Sequence, residues 1–206
     1  MKITDNIEKI KSLLKFKEGI FYYVQVIQRK KENPELDTSD IKRYQTFITS
    51  QKDFDRHIER IKKECSDYNA RAYISLIPRS LEKLAKECLL EYAKRVANEE
   101  YKLAWSVPNR VALSDKVKAR GIYNKPLWLF DVDKIEDYPV IKKIVEEKRI
   151  KIVETIDTPN GMHVLVEAFN PSLLADHKSG EDYVFPEGER FTFRPDSNTV
   201  LFAVSP

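Results

Sequence analysis

Residues 127–133 read LWLFDVD, so a run of large apolar side chains ends in two carboxylates, Asp131 and Asp133, one residue apart. Side chains on a strand alternate between its two faces. Leu127, Leu129, Asp131 and Asp133 therefore share one face, and Trp128, Phe130 and Val132 the other. Two carboxylates side by side repel and raise each other's proton affinity unless a cation sits between them. Mg²⁺ suits such a pair, because it takes one or two protein carboxylates and fills the rest of its shell with water and phosphate oxygens. The chemistry open to that arrangement is phosphoryl or nucleotidyl transfer. The alternative reading is a strand that enters a surface loop, with Glu136 and Asp137 as further solvated charge.

Two later stretches carry residues of the same kind. In DTPNGMHVLVE the turn residues Pro159, Asn160 and Gly161 lead into an alternating run in which His163, Leu165 and Glu167 face opposite to Met162, Val164 and Val166. His163 is one of three histidines. It is either a sheet histidine with satisfied ring nitrogens or a group that meets a triphosphate beside the carboxylates. In RFTFRPDSNTVLFAV, Asp196 precedes a strand and has Arg190 and Arg194 nearby; taken alone, its surroundings are ordinary turn chemistry.

The elements that must position these residues follow from periodicity. Apolar residues at Ile7, Ile10, Leu13 and Leu14 mark a short lead-in helix over 7–16. The aromatic and β-branched run 21–28 reads as a strand, with a second over 44–49 and a third over 71–77. Phe54, Ile58, Ile61 and Cys65 share one helical stripe. Ser80 is placed to cap the clearest helix of the chain, with Leu81, Leu84, Ala85, Cys88, Leu89, Tyr92, Val96 and Ala97 assigned to one face. Residues 103–123 are basic and irregular. After the strand 127–133 come a helix over 140–147, a hairpin of strands 149–156 and 162–169, a long polar loop over 171–190 and a last strand over 199–204. Helices and strands mix without strict βαβ alternation, so the expected fold is α+β with mainly antiparallel sheets and flanking helices. The 206 residues are expected to form a single domain, with 1–18 as lead-in and 19–206 as its core.

Composition narrows the partners. Charged residues are 33% of the chain but the net charge is only +3, so overall charge favours no partner, and nucleic-acid binding would need local basic clusters. Cys65 and Cys88 form no C-x-x-C and fit free thiols in a reducing compartment. The charged amphipathic N-terminus is not a signal peptide, and no apolar run approaches the ~18 residues of a membrane span. The expected address is cytoplasmic, with no membrane partner.

In order, the three stretches read hDhD (FDVD), small-x-His (GMH) and a further acid. This resembles the archaeo-eukaryotic primase superfamily, whose members include phage and plasmid primases and primase-polymerases. NARAYISLIPRS over 69–80, ahead of a helix and the D-x-D strand, is also similar to phage-type members. The resemblance spans residue 21 to the C-terminus. It implies an RNA-recognition-type sheet as catalytic core and template-directed primer synthesis from nucleoside triphosphates on single-stranded DNA. Asp131, Asp133 and Asp196 would hold two Mg²⁺ or Mn²⁺ ions, and His163 would contact the incoming triphosphate. The family's third acid follows a hydrophobic residue, whereas Asp196 follows Pro195.

Arg79, Asn160, Gly161 and Lys178 are further nucleotide contacts on this reading, with Arg190 flanking the same loop. Arg79 is placed where a phosphate would also meet a helix N-terminus. Lys116, Lys118 and Arg120 would touch a template backbone. Arg71, alternating with Tyr73 on its strand, is the candidate for a structural ion pair. No zinc module or helicase motif is present, so a separate helicase or replication protein is an expected partner, in the host cytoplasm if the protein is phage-encoded. The competing functions are a non-catalytic nucleic-acid-binding replication accessory protein with a degraded primase fold, and a metal-dependent nuclease. The nuclease lacks an obvious general-base lysine after its acidic strand.

Overall fold

The computed structural model describes residues 2–37, 39–119, 126–179, 182–184, 190–194 and 198–205, of which 175–179, 182–184 and 190–194 are described by their backbone course alone. The strands are β1 (Lys2–Asp5), β2 (Ile20–Gln28), β3 (Ile41–Ile48), β4 (Arg71–Ser75), β5 (Arg79–Ser80), β6 (Leu127–Val132), β7 (Ile152–Asp157), β8 (Met162–Glu167), β9 (Lys178–Ser179), β10 (Asp182–Val184), β11 (Arg190–Arg194) and β12 (Asn198–Ser205). The helices are α1 (Ile7–Leu13), α2 (Gln51–Asp67), α3 (Leu81–Ala97), α4 (Val107–Ala112) and α5 (Tyr138–Glu147). The fold is α+β. Two antiparallel sheets run in the orders β1-β12-β4-β2-β3, with β5 on β2, and β7-β8-β6-β11-β10-β9.

In the first sheet, β2 is an interior strand and almost wholly buried, as its IFYYVQVIQ sequence demands. Tyr22, Val24 and Val26 on one face pack with Ala72, Ile74 and Ile48 under α1 and α2. The opposite face sets Phe21 and Tyr23 against Val107, Val111 and Ala112 of α4 and Val117. In the second sheet, Phe130, Val132, Met162, Val164 and Val166 pack beneath Ile141, Ile144 and Val145 of α5. The reverse face contributes Leu129, Leu165 and Ile156 to the core of the first sheet, so the two sheets share an interior.

Buried polar residues tie the sheets together. Asn6 Nδ2 donates to the carbonyls of Asp157 (2.8 Å) and Val200 (3.1 Å), and its Oδ1 accepts the Asp157 N–H at 3.1 Å. One side chain thus satisfies backbone groups of both sheets, which a buried amide must do to avoid the cost of an unmade bond. Arg71 is the structural ion-pair partner its strand position suggests: Nε donates to Glu32 Oε2 at 2.9 Å and Nη2 pairs with Oε1 of the same carboxylate.

Several elements depart from the sequence expectation. β1 and β11 lie where no strand was expected. The polar loop over 171–190 begins with a 3₁₀ turn (Pro171–His177) and then forms the short strands β9 and β10. The irregular basic segment holds a 3₁₀ turn (Tyr101–Ser106), α4 and a second 3₁₀ turn (Asp115–Val117). In these short pieces, pairing with a neighbour decides the backbone more than local propensity does.

Candidate functional site

The alternation read in LWLFDVD holds through Val132, where β6 ends; Asp133 lies past the strand. Leu129 lies in the shared interior and Phe130 and Val132 lie under α5, so Asp131 points toward the first sheet. Antiparallel register sets Asp131 directly opposite His163, and Leu129 opposite Leu165 one pair deeper on the same face. The carboxylate and imidazole are therefore flanked by a buried apolar pair. His163 is 7% exposed, and its Nε2 lies 3.4 Å from Asp131 Oδ1. Its Nδ1 lies 2.9 Å from the hydroxyl of Thr199, a fully buried residue of β12 in the other sheet. β8 lies between β7 and β6, so this histidine is interior to its sheet. The row Asp131–His163–Thr199 crosses from one sheet to the other.

Asp133 follows β6 by one residue and is exposed. An adjacent turn packs against its backbone. Thr158 N–H donates to the Gly161 carbonyl (3.0 Å), and Gly161 N–H donates to Thr158 Oγ1 (2.9 Å). This turn packs so closely on β6 that a Cβ at Gly161 would lie 2.0 Å from the Val132 carbonyl oxygen and 2.7 Å from the Asp133 carbonyl. Only glycine fits there, and the reason is close approach rather than backbone angle. The small residue of GMH and the end of the D-x-D strand are therefore one packed unit.

The remaining residues singled out by sequence divide. Asn160 is exposed at the tip of that turn. Arg79 is 3% exposed and its Nη1 donates to the Ser114 carbonyl at 3.0 Å, so its guanidinium lies in the interior between β2 and the Asp115–Val117 turn, not at an open helix N-terminus. Lys118 is buried with its ammonium 2.8 Å from Asp115, while Lys116 is exposed and 3.2 Å from Glu87. The backbone of Lys178 lies in β9. Asp196 and Arg120 lie outside the described residues. Among the described residues, no group of three or more His, Cys, Asp or Glu has a metal-holding arrangement.

Thr199 was not singled out by sequence. The TVLFAV run marks a buried strand, but nothing local says that its first hydroxyl meets a histidine of another sheet. Among the described residues, no helix is long and apolar enough to cross a membrane. Compared with family models, curated proteins and solved structures, the chain matches none of them.

Proposed function

We propose that this protein is a nucleotidyltransferase of the primase or primase-polymerase type, extending a primer from nucleoside triphosphates on a single-stranded DNA template. The observation that carries the proposal is the register pair Asp131–His163, braced by Thr199, at the strand end from which Asp133 emerges. Strand order supports it. β6, α5, β7 and β8 followed by β11 give a β-α-β-β…β path with the order β7-β8-β6-β11, the connectivity of an RNA-recognition-type sheet. In place of its second helix stand the Pro171–His177 turn and β9–β10.

The donor set suits a hard divalent cation: two carboxylates one residue apart, one half-buried and one exposed to solvent. Asp131 and Asp133, with Asp196 as third acid, would hold Mg²⁺ or Mn²⁺, which when bound neutralises charge on the reacting phosphates and lowers the pKa of the attacking hydroxyl. The chain's own residues do the positioning. The Thr199 hydroxyl meets His163 Nδ1 and fixes the ring plane, which turns Nε2 to Asp131 and would set it beside a phosphate drawn to the carboxylates. Leu129 and Leu165, buried beside the pair on the same face, exclude water from that side and strengthen its charge interactions.

Incorporation of labelled nucleotide on single-stranded template with Mg²⁺ or Mn²⁺ tests the reading. Asp131→Asn and Asp133→Asn are expected to fall to background. His163→Ala is expected to raise KM for nucleotide, and Thr199→Val to do so less. Full activity in both aspartate variants overturns the site. Binding of single-stranded DNA without turnover by the wild type identifies the non-catalytic accessory protein, and nucleotide-independent degradation of DNA identifies the nuclease.

A further inference from the structure

Of the eleven large apolar side chains exposed among the described residues, seven lie between Leu81 and Trp105. On α3 the outward positions Leu81, Ala85, Leu89, Ala93 and Ala97 recur every four residues, and Leu89, 70% exposed, is the midpoint of the helix. Leu90 and Val96 flank this stripe. The Tyr101–Ser106 turn packs against α3 and continues the surface with Tyr101, Leu103 and Trp105, the last 80% exposed. Scaled to side-chain size, these exposures amount to on the order of 800 Å². That is more than the ~300–600 Å² patch of an ordinary monomer and is about what one partner covers in a standard interface.

The charge pattern selects the occupant. The charges within the stripe are Glu82 and Lys86, which pair with each other. With no net charge, the stripe offers a polyanion or an acidic peptide nothing to hold. It does accept its own copy. An antiparallel α3 crossing at Leu89 sets Ala85 opposite the partner's Ala93 and Leu81 opposite the partner's Ala97, so small residues admit close approach. The same crossing brings the acidic first turn, with Glu82, to the basic last turn of the other helix, with Lys94, and opposes the two helix dipoles. We propose that this face is the isologous interface of a homodimer, built from two antiparallel α3 helices on a two-fold axis at Leu89 and extended at each end by Trp105.

Sedimentation velocity on the full chain is expected to give twice the 24.2 kDa chain mass. Leu89→Glu places two like charges on the axis and is expected to raise the dimer dissociation constant at least tenfold, whereas Ile135→Glu, an exposed apolar residue off this face, leaves it unchanged. Symmetry gives an independent check in a Cys88→Ser background. Leu89→Cys closes a disulfide with its own copy, while Leu81→Cys does not, because the two positions 81 lie at opposite ends of the pair, about 24 Å apart. Circular dichroism verifies that each variant is folded. A single-chain mass from micromolar to millimolar concentration overturns the proposal, as does a dimer indifferent to Leu89→Glu or a Leu81→Cys chain that crosslinks as readily as Leu89→Cys.

Discussion

α2 and α3 are both seventeen residues long, and each begins at a serine whose hydroxyl accepts the backbone N–H three residues on, Ser50 from Asp53 and Ser80 from Lys83. Their surroundings differ completely. α2 buries Phe54, Ile58, Ile61 and Cys65 in the interior shared by the two sheets. α3 sends only Leu84, Cys88 and Tyr92 toward the first sheet as partly buried contacts, and its one buried residue is Arg95, held by Glu91 (2.8 Å) and Glu100 (3.2 Å). Similar local signals thus produce a helix that is part of the core and a helix that lies on it. The first holds together the framework carrying Asp131 and His163, and the second presents an apolar face outward.

The largest contrast is expected in truncations of matched size. Ile61→Ala empties a fully buried site and is expected to cost about 2–5 kcal/mol of unfolding free energy. Leu89→Ala removes an exposed side chain and is expected to change it by less than ~0.5 kcal/mol in the monomer. Denaturant midpoints measure both, and equal costs would break the contrast. The cysteines report the same difference without mutation. Burial pushes the Cys65 thiol up to about 12, against a lowering contribution from the Ala72 backbone. Burial also raises Cys88, which is only partly covered. Iodoacetamide is expected to modify Cys88 in the native protein and to reach Cys65 only on unfolding.

The caps sharpen the comparison further. Ser50→Ala is expected to lower global stability by about 1 kcal/mol. Ser80→Ala removes an equivalent bond from a helix able to fray without opening the core, so its effect is expected chiefly as faster amide exchange in the first turn of α3. At the other ends, each helix closes by the same 6→1 bond, Ala70 N–H to the Cys65 carbonyl and Glu100 N–H to the Arg95 carbonyl, both 2.9 Å. The left-handed residue between is Asn69 (φ 45°) after α2 and Glu99 (φ 59°) after α3. Asparagine tolerates that conformation, and the Asn69 amide also donates to the Glu32 carbonyl. Glutamate gains nothing there. Glu99→Gly is therefore expected to stabilise by roughly 0.5–1 kcal/mol and Asn69→Gly to destabilise, both read from thermal midpoints.

The same pair of helices shows what was legible in the sequence. Phe54, Ile58, Ile61 and Cys65 occupy one narrow stripe, and that stripe is the one buried. The eight apolar residues assigned to one face of α3 spread over most of its circumference, so periodicity located the helix but could not choose the side that packs. The structure turns Leu81, Ala85, Leu89, Val96 and Ala97 outward. At the candidate site, alternation within β6 and β8 was readable because it depends only on neighbours in the chain. The pairing of Asp131 with His163 was not readable: the hairpin joins β8 to β7, whereas β6 reaches β8 across α5 and β7, a non-local pairing. Thr199 was not readable, because its contact joins two sheets and no local rule encodes which strands of different sheets meet. Arg79 went the other way: a basic residue before a helix resembles an anion contact, yet here its guanidinium is spent on the Ser114 carbonyl.

The smallest effect separates the acids of the two first turns. Burial pushes the Asp53 carboxyl up, but the Thr49 N–H it accepts at 3.0 Å and the charges of Arg56 and His57 outweigh burial and hold it below its ordinary 3.8. A carboxylate lowered in the folded state adds stability above its unfolded pKa, and that stability is lost as pH falls through the folded value. Glu82 is also lowered, by its bond to Lys86, but the pair stands in open solvent, where salt and side-chain entropy cancel most of the gain. Between pH 5 and the acid transition, Asp53→Asn is therefore expected to flatten the decline in stability by a few tenths of a kcal/mol, whereas Glu82→Gln leaves that of the monomer unchanged at about 0.15 M salt. If Glu82→Gln proves the more sensitive, α3 is anchored through its first turn in solution, and the contrast between an embedded α2 and a superficial α3 fails.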